Sequence, residues 1–282
     1  MAAVTLRPLS TGEILDHAFG LFRQLFVPLV VVQVICSSVP LLMNLYVAAS
    51  GTQNPLVTLV IYLVAFILGA LASAATAYII SENYLGRPLG ARDALARAVP
   101  RIGDVMILSL GVGFVVVIAA LPALLVIGAG GAYAALGGTS GTSAVGGGVA
   151  LMLVGLALLV LPFAVFSGLS IATPALVLER IPAGRAMSRS WQLTKKSRLR
   201  IIGLLFVVLV IVMIPMFGIG ALAGIFGTDE SRGGIVFVTA VTGVISLMIT
   251  PLLYCVLTLL YYDLRVRKEG YDLEVLAAEL PA

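Results

Sequence analysis

Six runs free of Asp, Glu, Lys and Arg dominate this chain, covering residues 26–49, 56–80, 105–128, 148–178, 201–226 and 234–262. Each reaches or exceeds the ~20 apolar residues that cross ~30 Å of hydrocarbon as a helix. Inside a bilayer a backbone must satisfy its own hydrogen bonds, and a helix does so within one segment. With 282 residues, 61% of them hydrophobic and 11% charged, little is left for a separate soluble domain. The expected fold is an all-α integral membrane protein with six transmembrane helices in a single polytopic domain, residues 1–282.

Charge sets the expected orientation. Arg7 and Arg23 precede the first run, and Arg87, Arg92, Arg97 and Arg101 separate the second from the third. Seven cations between Arg180 and Arg200 separate the fourth from the fifth, and Arg265, Arg267 and Lys268 follow the sixth. The opposite linkers contribute only Arg232, beside Asp229 and Glu230. By the positive-inside rule, both termini are expected on the cytoplasmic side. The net charge of +4 is then a topology signal, and a nucleic-acid partner is not expected. The start of the chain lacks the compact apolar core of a cleavable signal, so the first span is expected to direct insertion. Cys36 and Cys255 both fall within spans and suggest neither a disulfide nor a thiol metal site.

The cation-rich linkers share a design. In TGEILDHAFGLFRQLF, residues 11–26, Ile14, Leu15, Ala18, Phe22, Leu25 and Phe26 fall on one side at helical spacing. Glu13, Asp16, His17, Gly20 and Gln24 fall on the other, and Ser10 with Glu13 has the spacing of a capping box. GARDALARAVPRIGDV, residues 90–105, and PAGRAMSRSWQLTKKSRLR, residues 182–200, repeat the arrangement. Three cytoplasmic amphipathic helices lying in the membrane interface are therefore expected. Pro40, Pro122 and Pro215 keep step near the outer ends of the odd spans, and Glu82, Glu179 and Asp263 mark the inner ends of the even ones. These landmarks predict a threefold repeat of surface helix plus transmembrane hairpin: residues 10–85, 86–180 and 181–264, followed by a cytoplasmic tail, 265–282. The segment 128–148 contains nine glycines and reads as a flexible outer connector.

Chemistry-bearing residues are sparse. His17 is the single histidine, and no metalloprotease, nucleophile-elbow or phosphate-loop spacing occurs. No catalytic residue, cofactor or metal is expected. Charges inside a bilayer mark proton relays and coupled transport sites, and none lies mid-span. Gln33, Ser37, Ser38 and Asn44 in span one, with Ser167, Ser170 and Thr173 in span four, would line a polar path if one exists. Pro162, Pro174 and Pro251 would interrupt spans four and six, and Gly220 with Gly224 forms a packing motif. Arg185, Arg189, Trp191, Lys195, Lys196, Arg198 and Arg200 sit where lipid headgroups would meet them.

Three stretches carry a family resemblance: LRPLSTGEILDHAFGLFRQ, PALVLERIPAGRAMSRSWQLTKKSRLRIIG and LLYYDLRVRKEGYDLEVLAAE. With them the chain resembles the bacterial glycerophosphoryl diester phosphodiesterase membrane-domain family. The resemblance implies a stand-alone module in a bacterial cytoplasmic membrane, without the phosphodiesterase domain, and it carries over no catalytic residues. Together these features point to a non-enzymatic membrane protein that organises lipids, anionic ones foremost, or a membrane or cytoplasmic protein partner. The alternative is a small-molecule or lipid transporter or channel using kinked spans four and six.

Overall fold

The computed structural model describes residues 7–51, 54–137, 142–225 and 232–271. Every regular element among them is helical, as suits long Leu-, Val- and Ala-rich runs that pair their backbone within one segment in lipid. Helix α1 (Thr11–Gln24) leads through Leu25 into α2 (Phe26–Ser50), and α3 (Pro55–Tyr84) returns. Helix α4 (Ala91–Ala98) passes through a tight turn at Val99–Arg101 into α5 (Ile102–Gly137). Helices α6 (Thr142–Leu158), α7 (Val160–Leu169) and α8 (Ala172–Glu179) together form the next return. Helix α9 (Ala183–Thr194) precedes α10 (Arg198–Ile225) and α11 (Arg232–Glu269). Six of the helical stretches are long and apolar enough to cross a membrane: Phe26–Ser50, Pro55–Tyr84, Ala91–Ala135, Val145–Glu179, Arg198–Ala221 and Arg232–Glu269.

Prolines divide spans four and six differently from expectation. Span four breaks at Leu159 and again at Ser170–Ile171. Pro162 has no N–H for the Leu158 carbonyl, and Pro174 has none for Ser170, so each break falls within one turn before a proline. Pro251, by contrast, lies inside an unbroken α11, as Pro40 does in α2. A proline weakens one turn, and packing on neighbouring helices decides whether it opens.

One glycine reading also changes. Residues 128–137 and 142–148 are helical, and only 138–141 lie outside the described residues. Gly130, Gly147 and Gly148 there serve close packing, since a Cβ on Gly148 would stand 2.6 Å from that of Ala134; farther along α6, one on Gly155 would stand 2.5 Å from Ile127 Cγ1. Gly220 faces open space, and the surroundings of Gly224 lie outside the described residues.

The core gathers at the end of the bundle that carries α1, α4 and α9, here called the base. Buried residues there include Leu29 and Cys36 of α2, Ala74–Ile80 of α3, Leu176 of α8, Ile201 and Leu204 of α10, and Leu259–Leu260 of α11. Away from the base the spans part. Between Pro55 and Gly69 only Ile61 is buried, and on α10 beyond Val208 only Ile219 is among the described residues. Part of each apolar face of the short helices is turned to protein: Ile14, Ala18, Ala94, Ala98 and Ala186 have no exposed surface, whereas Trp191 is exposed. The sequence assigned those faces to the bilayer interface. Their small side chains instead let α1 rest on α11, α4 on α3, and α9 on α8.

Candidate lipid-headgroup site

The end of α9 and the start of α10 place the basic residues. Gly168, just before the second break of span four, offers its carbonyl to α9: Ser190 Oγ donates to it at 2.9 Å and Thr194 Oγ1 at 3.1 Å. All three residues are buried. Gly168 also makes room for the indole of Trp191, since a Cβ there would lie 2.6 Å from the ring. After Thr194 the chain reverses through Lys195 and through Lys196, whose φ of 76° is left-handed. Ser197 N–H donates to the Thr194 carbonyl at 3.0 Å, and α10 begins at once, with Ile201 N–H on the Ser197 carbonyl.

This reversal leaves an open hollow of about 700 Å³ lined by Trp191, Lys195, Lys196, Ser197, Arg198, Leu199 and Arg200. The Arg198 guanidinium stacks 3.8 Å from the Trp191 ring centre, a cation–π contact. Its Nε is buried without a partner among the described residues. Lys195 and Lys196 are exposed, and Leu199 is 86% exposed. The first N–H groups of α10 add partial positive charge. Cations beside an indole and a bare leucine suit a ligand with an anionic head and an apolar body.

Two of the seven basic-site candidates serve the scaffold. Arg200 donates to Asp263 Oδ2 at 2.7 Å, to Thr11 Oγ1 at 3.3 Å and to the Leu9 carbonyl. Arg189 pairs with Glu179 at 3.0 Å and with Glu269 at 2.5 Å. Burial opposes its charge, but the hydrogen bonds to Glu269 and Glu179 outweigh this and hold its pKa above the ordinary value. Arg185 is exposed on α9, one turn before Arg189.

The polar-path candidates of span one are not brought together with those of span four. Asn44 Nδ2 donates to its own Pro40 carbonyl at 2.8 Å, Ser167 to Ala164 and Ser170 to Ser167. Such back-bonding satisfies hydroxyls within their own helix. Thr173 is half-buried in α8. Helix α2, with Gln33, packs mainly on α3 and α11, whereas α7 packs mainly on α5, α9 and α10.

The acids at the base ends of the even spans all take cations. Glu82 meets Arg97 at 3.1 Å; Glu179 meets Arg189 and also accepts from the Tyr261 hydroxyl at 2.9 Å. Asp263, whose side chain has no exposed surface, accepts from Leu9 N–H at 2.7 Å and pairs with Arg200 and Arg267. His17 is exposed on α1. Sequence reasoning marked these acids but missed Ser190, Thr194 and Gly168. Their signal was a polar pair one turn apart on the otherwise apolar face of α9.

Six apolar spans on one helical base define a multi-pass integral membrane protein. Residues 148–275 match the family described as the membrane domain of glycerophosphoryl diester phosphodiesterase, so the resemblance holds over spans four to six and the whole hollow. No curated protein and no solved structure matches the chain.

Proposed function

We propose that the protein is a non-enzymatic component of a bacterial cytoplasmic membrane that gathers anionic lipid at the inner leaflet. The hollow between Trp191 and Arg200 carries this reading. It combines exposed cations, a stacked guanidinium and a bare leucine at the point where α10 leaves the base for the bilayer. The clustering of Lys and Arg on the base side supports cytoplasmic termini. It also supports an inner-leaflet position, where anionic lipid attracts each basic residue by about 1 kcal/mol. A membrane or cytoplasmic protein partner would meet the same face.

The local geometry supports a threefold repeat of amphipathic helix and hairpin. Ser10, Gly90 and Pro182 cap α1, α4 and α9 with the same extended backbone, ψ 167°, 167° and 158°. Four residues on come Ile14, Ala94 and Ala186, and four further on come Ala18, Ala98 and Ser190, all six fully buried. Seven residues after the cap, Arg97 and Arg189 each take the acid that ends the preceding span. In the first copy His17 holds that place, and Asp263 reaches the Leu9 amide instead.

The test is lipid selectivity in nanodiscs containing phosphatidylglycerol or phosphatidylcholine. The expected result is enrichment of phosphatidylglycerol, weakened roughly fivefold for each charge lost in Lys195→Gln and Lys196→Gln. Equal retention of both lipids by the unaltered protein overturns the reading. The transporter alternative draws support from the broken span four, but the unbroken α11 removes half of its structural basis.

A further inference from the structure

Where α2 crosses α11, a second polar feature lies inside the membrane, apart from the basic hollow. A niche of about 180 Å³ is lined by Gln33, Ser37 and Pro40 from α2 and by Ser246, Leu247 and Thr250 from α11. Gln33 is 3% exposed, and its Nε2 is buried with no partner among the described residues. In hydrocarbon no water stands ready to satisfy it.

The other groups define what is missing. Ser246 Oγ donates to the Thr242 carbonyl at 2.8 Å, and Thr250 Oγ1 donates to Ser246 at 2.7 Å. Both hydroxyl protons are spoken for, so these oxygens can only accept. Pro251 has no N–H to offer the Leu247 carbonyl, a further acceptor on this wall. The niche therefore holds the idle Gln33 amide donor, with the Ser37 hydroxyl beside it, opposite several acceptors. A hydroxyl group answers both needs, accepting from Gln33 and donating across to α11.

Access identifies the kind of molecule that brings it. Gln33 is seven residues into α2, about 10 Å from its start. Ser246 is exposed, flanked by exposed Val244 and Met248, so the niche opens sideways at the depth of lipid chains. On the outer side Gly243 lets Leu41 close in, since a Cβ there would lie 2.3 Å from Leu41 Cδ1. The entrance faces hydrocarbon, and an aqueous solute has no route to it through this opening.

We infer that the niche between α2 and α11 binds the hydroxyl end of an apolar alcohol or hydroxylated lipid drawn from the bilayer, with Gln33 as its donor and α11 as its acceptor wall. The inference goes beyond headgroup binding at the base and stands or falls separately from it.

The test uses the full chain in phosphatidylcholine vesicles doped with a long-chain alcohol bearing a photoreactive diazirine, against the matching diazirine alkane. Cross-linked peptides are mapped by mass spectrometry. The expected result is alcohol-selective labelling within residues 33–41 and 243–250. It should fall roughly fivefold in Gln33→Leu, the size of one hydrogen bond inside a bilayer. Thr250→Val, nearly isosteric, should lower it in the same direction and keeps the test open if Gln33→Leu does not fold. Equal labelling by alcohol and alkane, labelling unchanged in a folded variant, or none at these helices, as when water alone fills the niche, overturns the inference.

Discussion

At the scale of single residues, small atoms decide where large ones sit. Gly168 is the clearest case, because the Trp191 ring occupies the space that any side chain there would fill. Gly168→Ala is expected to push the indole off its seat, break the stack with Arg198 and destabilise the protein by about 1–3 kcal/mol, as overpacking does. Trp191 is the only tryptophan, so its emission reports the change directly, and an unshifted spectrum would contradict the geometry. Glu13 makes a second residue-scale case. The Ser10 backbone N–H, donating at 2.6 Å, and then Arg7 hold its pKa at about 2 against an ordinary 4.5. A folded-state value below the unfolded one stabilises above the unfolded pKa and is lost as pH falls through the folded one. The start of α1 should therefore loosen as pH falls from about 4.5 to about 2. In Glu13→Gln that part of the dependence should vanish, measured by helix content and melting in detergent.

At the scale of elements, the short helices at the base are held by their neighbours more than by themselves. Helix α1 closes onto α11 at the far end of the sequence. There Asp263 grips the Leu9 amide, while Arg200 and Arg267 both reach the Leu9 carbonyl. Asp263→Asn leaves two guanidiniums facing a neutral amide in a buried place. Breaking a buried ion pair costs about 3–5 kcal/mol, and with Arg200 and Arg267 themselves partly exposed the low end is expected. Release of α1 should appear as faster trypsin cleavage after Arg23; an unchanged rate would mean α1 is held by its apolar face alone. Legibility differs sharply between elements. Periodicity located the starts of α1, α4 and α9 to within a residue, but not the ends of α4 and α9, since charged and apolar positions alternate at helical spacing past the turns that end them. It did not say what the apolar face would meet, because alanines and isoleucines pack equally well on lipid and on protein. Nor could it tell which proline opens a helix: Pro162 and Pro251 look alike until their neighbours are known.

At the scale of the whole molecule, uncharged length carried nearly everything, because hydrocarbon admits a helix and rejects unpaired charge whatever the local detail. That is why all six spans were legible, while the basic hollow and the Gln33 niche were only residue names until the helices crossed. Packing concentrated at the base has a further consequence for topology. The base bears α1, α4 and α9 and nearly all the cations, so Arg92, Arg185 and Lys268 must share one side of the membrane, with Asn54 opposite. Cys36 and Cys255 are buried, which gives a quiet background for single-cysteine labelling in intact cells. Cysteines replacing Arg92, Arg185 and Lys268 should react with an impermeant maleimide only after the membrane is opened, and one replacing Asn54 should react before. A mixed pattern among the three base positions would contradict the six-span architecture itself. A uniform reversal would keep that architecture and turn the headgroup site to the outer leaflet, where the proposed function fails.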